Sequence, residues 1–278
     1  PFAVVGKGTP AHSTMNLDLR NQADVDAHLL RATDGPGAVV LHGRYAGGYW
    51  TGDLRWRFVE GRGAGTYGVH DRIVVWLKDR AMVVLDCLSH DAGATPCLHW
   101  LSDDVPCELD AERLRLTTRD GDGNVLIQVL PLGGSKVFAS LHRGETDPYL
   151  GWIAQAKRDV RPAPLMQCRF ESSDEGWGLF AESATVIAPF DASQPPRFEV
   201  RAQDGPHTAR QVRIGWADGA TDRIVFTRQL DKPIREAGDV RTDAPLVVLR
   251  TAAGENESHV TALDATFLKL DGRCIPLP

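Results

Sequence analysis

Nowhere in these 278 residues does an apolar run approach the ~18 residues that a membrane-spanning helix needs. No signal-peptide pattern heads the sequence as given. Cysteine is scarce and odd in number: Cys87, Cys97, Cys107, Cys168 and Cys274, with no CxxC pair, which argues against a disulfide scaffold and a zinc knuckle and predicts buried free thiols. Long runs of one charge are absent too. The 31 basic and 37 acidic residues are interspersed and leave a net charge of −6, so no electrostatic footprint for nucleic acid or an anionic membrane is present. GxSxG, P-loop, HExxH and HxH patterns are missing and no GxGxxG sits between a strand and a helix, which leaves hydrolase and nucleotide-binding readings without support from motifs. Helical periodicity is confined to Ala23–Ala32 and Trp152–Asp159, which fit two short helices and no helical layer.

The chain is rich instead in short apolar stretches separated by Gly, Asp and Pro. "RIVVWLKDRAMVVLD" predicts a hairpin in which Ile73–Leu77 and Met82–Leu85 flank a Lys78-Asp79-Arg80 turn. Both runs are nearly continuous in apolar residues, so the hairpin is expected to lie buried between layers. "RLRLTTRDGDGNVLIQVLPL" repeats the pattern, Asp120 to Asn124 supplying the residues that tolerate φ > 0 in a tight turn. Further strands are predicted at Ala38–His42, Leu54–Val59, Lys136–Leu141, Leu165–Phe170, Arg197–Arg201, Gln211–Trp216, Arg223–Arg228, Pro245–Arg250 and Thr266–Leu270. Asp191–Pro196 and Asp231–Pro245 read as surface loops. The whole predicts an all-β protein, a large antiparallel β-sandwich formed as a single domain over residues 1–278, with 42% hydrophobic residues for its core.

Six histidines fall in the first hundred residues: His12, His28, His42, His70, His90 and His99. Considered alone, His12 reads as a structural histidine rather than a metal ligand, since zinc takes three or four ligands and no local pair accompanies it. "LHGRYAGGYW" places His42, Arg44, Tyr45 and Tyr49 around three glycines. Aromatic faces stack on sugar rings and Arg and His bind carboxylates and hydroxyls, so these four are candidate substrate-binding residues; aromatics packed in a core at a strand end are the competing reading. In "LHRGETDPYLGWIAQ", Pro148 and Asp147 shape a turn whose role reads as structural.

"GTPAHSTMNLDLRNQAD" resembles the stretch GTAAHNTVxVDGxDQxE of the heparinase II/III-like polysaccharide lyases, with Ala11, His12, Thr14, Asp18 and Gln22 in register and Ser13 where Asn is usual. "HDRIVVWLKDRAMVVLD" is similar to a later His-x-Arg hairpin closing on Asp, here His70, Arg72 and Asp86; "RGETDPYLGWIAQ" resembles a downstream stretch ending in Asp-Pro-x-x-Gly-Trp. The resemblance is to the C-terminal β-sheet domain of that family and covers most of the chain. It implies β-elimination on a uronic-acid polysaccharide of alginate or glycosaminoglycan type, a bacterial periplasmic or secreted location, and His12 as one ligand of a zinc whose other ligands lie upstream. It also implies, as partners, an acidic polysaccharide and an N-terminal helical toroid that carries the catalytic groups, so that no catalytic residue is assignable in this chain. A sequence opening on Pro1 fits that expectation of a longer protein. The alternative is a non-catalytic carbohydrate-binding or structural module of the same fold.

Overall fold

The structure is a computed structural model that describes residues 9, 12–22, 26–50, 66–91, 93–121, 123–156, 159–174, 178–191, 194–205, 208–228, 232–255 and 258–277. Among the described residues no α-helix forms, so none is long and apolar enough to cross a membrane. The four larger antiparallel sheets stack on one another, and three two-stranded ribbons accompany them. The widest, nine-stranded, runs in the order His28–Asp34, Ala38–Tyr45, Gly68–Leu77, Ala81–His90, Leu179–Phe190, Asn124–Leu132, Arg115–Thr118 and Cys107–Asp110, with Ser173–Asp174 added beside Leu179–Phe190.

Side chains alternate across a strand, so this wide sheet presents two apolar faces. Val84, Leu88, Ile127, Val129 and Ala181 pack against a four-stranded sheet ordered Met15–Leu17, Pro96–Leu101, Leu165–Glu171 and Lys136–His142, through Met15, Leu98, Trp100, Met166 and Phe170. On the other face Val40, Ile73, Val75, Val83, Leu85 and Val186 meet Val212, Ile214, Ile224, Phe226 and Val248 of a five-stranded sheet. That sheet runs Phe198–Asp204, Ala209–Trp216, Thr221–Thr227, Leu246–Thr251 and Ser258–Leu263. Its far face carries Val225, Val247 and Leu249, covered by a fourth small sheet through Ala237, Val240 and Leu268. A strand between two such layers must be apolar on both sides, which is why Val83 to Leu85 read as a continuous run.

The all-β antiparallel sandwich is therefore what forms, extended to four layers. The central hairpin has the expected turn: Leu77 faces Ala81 around Lys78 to Arg80, with Asp79 at φ 61°. The second hairpin pairs Thr117 with Leu126, and the Asn124 side chain ties its turn by accepting from the Asp120 amide at 2.6 Å and donating to the Asp120 carbonyl at 3.0 Å. Leu54–Val59 lies outside the described residues.

Three expectations are corrected. Of Ala23–Ala32, residues 23–25 lie outside the described residues and 28–32 belong to the edge strand His28–Asp34, which carries a bulge between Leu29 and Arg31 and exposes Leu29 and Leu30. Trp152–Asp159 is the hairpin Trp152–Ala156 with Asp159–Pro162, also bulged. The run 231–245 is not all loop: Arg235–Ala237 and Val240–Thr242 pair within the fourth sheet and bury Ala237, Val240 and Thr242.

Candidate functional site

Two side-chain clusters of one design sit on the wide sheet. His70 and Arg72 alternate with Asp71 along Gly68–Leu77 and point to the four-stranded sheet; the cross-strand partner of Arg72 is Asp86. Arg72 grips Asp86 with two bonds, Nε to Oδ1 at 2.7 Å and Nη2 to Oδ2 at 3.1 Å, while His70 Nε2 lies 2.7 Å from Asp86 Oδ1. A carboxylate only accepts, so Nε2 of His70 carries the proton. The guanidinium also stacks over Trp100, 5.5 Å from the ring centroid. Burial alone would raise the Asp86 carboxyl, but the Arg72 charge and the His70 hydrogen bond outweigh it and pull the pKa down to about 2.

One strand over and on the opposite face, the pattern repeats. Arg44 faces Asp71 across the strands and binds it through Nε to Oδ1 at 2.8 Å and Nη2 to Oδ2 at 3.0 Å, and His42 Nε2 donates to Asp71 Oδ1 at 2.8 Å. Burial pushes the Asp71 carboxyl up; the His42 hydrogen bond and the Arg44 guanidinium more than offset it and hold the group below the usual carboxylate range. His42 is 2% exposed and its Nδ1 has no hydrogen-bond partner among the described residues. Arg44 keeps 38% of its side chain in solvent.

Tyr45 and Tyr49 do not join His42 and Arg44. Tyr45 projects from the other face of its strand, and both tyrosines belong to the core under the four-stranded sheet, 6% and 0% exposed. Their rings meet edge to face at 5.8 Å, Tyr45 donates to the Gly48 carbonyl at 2.6 Å, and burial pushes the Tyr49 hydroxyl well above the ordinary tyrosine range. The packing reading of these two aromatics is the one their surroundings match.

His12 is exposed at the start of the described segment 12–22. Its neighbours fasten that segment to the first cluster: the Ser13 carbonyl accepts from Arg72 Nη1 at 2.6 Å, and Ser13 Oγ accepts from the Leu101 amide at 3.1 Å. Asp18 and Leu19, at φ 50° and 59°, make the turn that closes with Arg20 N donating to Leu17 O at 2.8 Å, and Asp18 Oδ1 accepts from Thr95 N at 2.8 Å. Among the described residues no group of three His, Cys, Asp or Glu could hold a metal, so His12 alone does not make a zinc site and no chemistry is derived through one.

Sequence reasoning found His42, Arg44, His70, Arg72 and Asp86 but missed Asp71 as the partner of the first pair. The signal was present: His-x-Arg occurs twice, at 42–44 and 70–72, and Asp71 sits inside the second copy. A second buried ionic group was also missed. Glu182 receives Arg228 Nε at 2.7 Å and Arg210 Nη2 at 3.3 Å and ties the wide sheet to the five-stranded one. Gly133, at φ 60°, passes so close that a Cβ there would lie 2.0 Å from Glu182 Oε2.

No protein-family model and no curated protein sequence matches the chain. Solved structures do. A heparinase III superposes with a TM-score of 0.60 at 16% identity, covering 79% of this chain and 30% of that one. The heparan sulfate lyase HepC from Pedobacter heparinus gives a TM-score of 0.59 at 15% identity over 79% of this chain and 31% of its own. The chain thus has the layered β fold found in these structures and spans about a third of their length.

Proposed function

We propose that this chain is the β-sheet domain of a polysaccharide lyase that cleaves a uronic-acid-containing polysaccharide, of alginate or glycosaminoglycan type, by β-elimination. The observation that carries the reading is the shared fold with heparinase III and the heparan sulfate lyase over 79% of the chain, in a protein whose His12 stretch is clamped to the His70–Arg72–Asp86 cluster. Fold alone does not assign chemistry; the clamp adds a residue-level reason. A rigid wall beside a cleft needs its rim fixed, and a bidentate Arg72–Asp86 pair buried under Trp100 provides that.

In β-elimination the uronate carboxylate is neutralised, a base removes the adjacent proton and an acid protonates the leaving oxygen. None of the described residues is assigned as base or acid; those roles fall to the remainder of the longer protein, the helical toroid. Of His42, Arg44, Tyr45 and Tyr49, only Arg44 reaches solvent to any extent, so contact of this quartet with a polyanion runs through its guanidinium. His12 is offered as one zinc ligand of that longer protein, which acts in the periplasm or outside the cell.

The test is to express the full coding sequence and follow the ultraviolet absorbance of unsaturated uronate on alginate, heparan and hyaluronan, with metal content measured on the same sample. Release of unsaturated ends on one of them supports the reading. Glycan binding without any such product would assign the fold to a non-catalytic carbohydrate module instead.

A further inference from the structure

The edge strand Lys136–His142 carries a relay that plays no part in the reading above. Ser140 and His142 are two residues apart and so share one face of the strand, the face turned away from the wide sheet. His142 Nε2 lies 2.7 Å from Ser140 Oγ, and His142 Nδ1 lies 2.8 Å from Glu145 Oε1. Because the Glu145 carboxylate only accepts, the ring proton is on Nδ1; the lone pair on Nε2 then accepts the Ser140 hydroxyl. Hydroxyl, imidazole and carboxylate stand in the order nucleophile, base, orienter.

The following loop holds the carboxylate end in place. Trp152 Nε1 donates to the Glu145 carbonyl at 2.6 Å, and Gly144 N donates to the Gly151 carbonyl at 2.7 Å. Gly151, at φ 70°, lies against the backbone that carries His142: a Cβ there would be 2.6 Å from Arg143 Cα and 2.7 Å from the His142 carbonyl. Only glycine permits that approach. The face around the hydroxyl is open on the side of the strand edge, whereas Gln167 on the neighbouring strand is buried. Ser140 and His142 are half-buried, Glu145 reaches solvent, and Phe138, next along the same face, is 57% exposed and offers an aromatic surface beside Ser140. Beside Ser140, its cross-strand partner Gln167 is engaged by His99, Nε2 to Nε2 at 3.1 Å.

We propose that Ser140, His142 and Glu145 form a serine-hydrolase site for carboxylic esters, taking small O-acyl groups carried on a hydroxyl compound. Ser140 Oγ adds to the ester carbonyl carbon as its proton passes to His142 Nε2. The carbon–oxygen bond to the alcohol breaks and the alcohol leaves with that proton, giving acyl-Ser140. Water then adds to the acyl carbon, its proton passing through His142 back to Ser140 Oγ, and the carboxylic acid is released. The sum is ester plus water giving acid plus alcohol. The site is independent of the lyase reading and stands or falls without it.

The experiment treats the folded chain with a fluorophosphonate probe, maps the label by peptide mass, and measures p-nitrophenyl acetate hydrolysis for the wild type, Ser140→Ala, His142→Gln and Glu145→Gln. The expected result is one label, on Ser140, with hydrolysis lost in Ser140→Ala and kcat lowered on the order of 10²–10⁴-fold in His142→Gln, KM being unchanged. Glu145→Gln, which preserves shape but removes the charge that fixes the ring, is expected to lower kcat without moving KM. Absence of label on the folded wild type, label on another residue, or equal hydrolysis by wild type and Ser140→Ala would overturn the proposal. Should Ser140→Ala fail to fold, the label map on the wild type decides alone.

Discussion

The Ser13 carbonyl oxygen accepts a hydrogen bond from Arg72 Nη1 at 2.6 Å across 59 positions of sequence. Through that one bond the segment carrying His12 is joined to a guanidinium already locked onto Asp86 and stacked over Trp100. The position of that segment therefore depends on a charge pair in the interior.

Replacing Asp86 with Asn leaves the Arg72 guanidinium half-buried with its counter-charge gone, the expensive half of a broken buried pair. Asp86→Asn is expected to lower stability by about 3 kcal/mol and to speed amide exchange at Thr14, which lies next to the clamp. Urea unfolding and hydrogen exchange measure both. A loss under about 0.5 kcal/mol, the range of ordinary surface substitutions, would show that the pair does not hold that segment.

Acid should unfold the protein through the same residue. The folded Asp86 titrates at about 2 against 3.8 for the free side chain, so its contribution is present above pH 4 and is lost as pH falls from about 4 toward about 2. A shift of that size corresponds to roughly 2 kcal/mol. The stability–pH slope in this window should flatten in Asp86→Asn; an unchanged slope would assign acid sensitivity to other carboxylates.

Of the five cysteines only Cys274 is exposed. Burial pushes the Cys97 thiol up to about 12 and raises those of Cys87, Cys107 and Cys168 as well. A disulfide reagent at pH 8 is expected to titrate one thiol rapidly in the native protein and all five in denaturant. Fast reaction of Cys97 or Cys168 in the native protein would contradict the packing described for the Pro96–Leu101 and Leu165–Glu171 strands.

Leu19 occupies the left-handed region at φ 59°, which costs a side chain with a Cβ about 1 kcal/mol or more. Leu19→Gly should therefore stabilise the protein by about 0.5 kcal/mol, once the added freedom of the unfolded glycine is set against the relieved strain. Thermal unfolding resolves the sign, and a lowered midpoint would mean that Leu19 contributes packing that outweighs its backbone.

Most strands were legible because they sit between layers and must be apolar on alternate or successive positions; Ala38–Tyr45, Lys136–His142 and Leu165–Glu171 all contain the runs expected of them. The longest strand, Leu179–Phe190, was not among those expected. Five of its buried residues, Ala181, Ser183, Ala184, Thr185 and Ala188, are small side chains that let two layers approach, and Glu182 breaks the apolar pattern because its partners Arg210 and Arg228 come from the five-stranded sheet and the residue that follows its Thr221–Thr227 strand. The candidate site was half legible for the same reason. His70, Arg72 and Asp86 lie along one hairpin, whereas the Arg44–Asp71 pairing depends on a register between Ala38–Tyr45 and Gly68–Leu77 that 22 intervening residues hide. The Ser140 relay escaped motif reasoning because its nucleophile sits on a strand rather than on a GxSxG elbow.

The most direct test of the central reading is the rate of unsaturated-uronate formation by the full coding sequence on alginate and heparan, measured beside Arg72→Ala. The account predicts product with at least one acidic polysaccharide and a sharp loss in the variant, whose His12 segment is released. Folded full-length protein that forms no unsaturated product on any uronic-acid polysaccharide would contradict it.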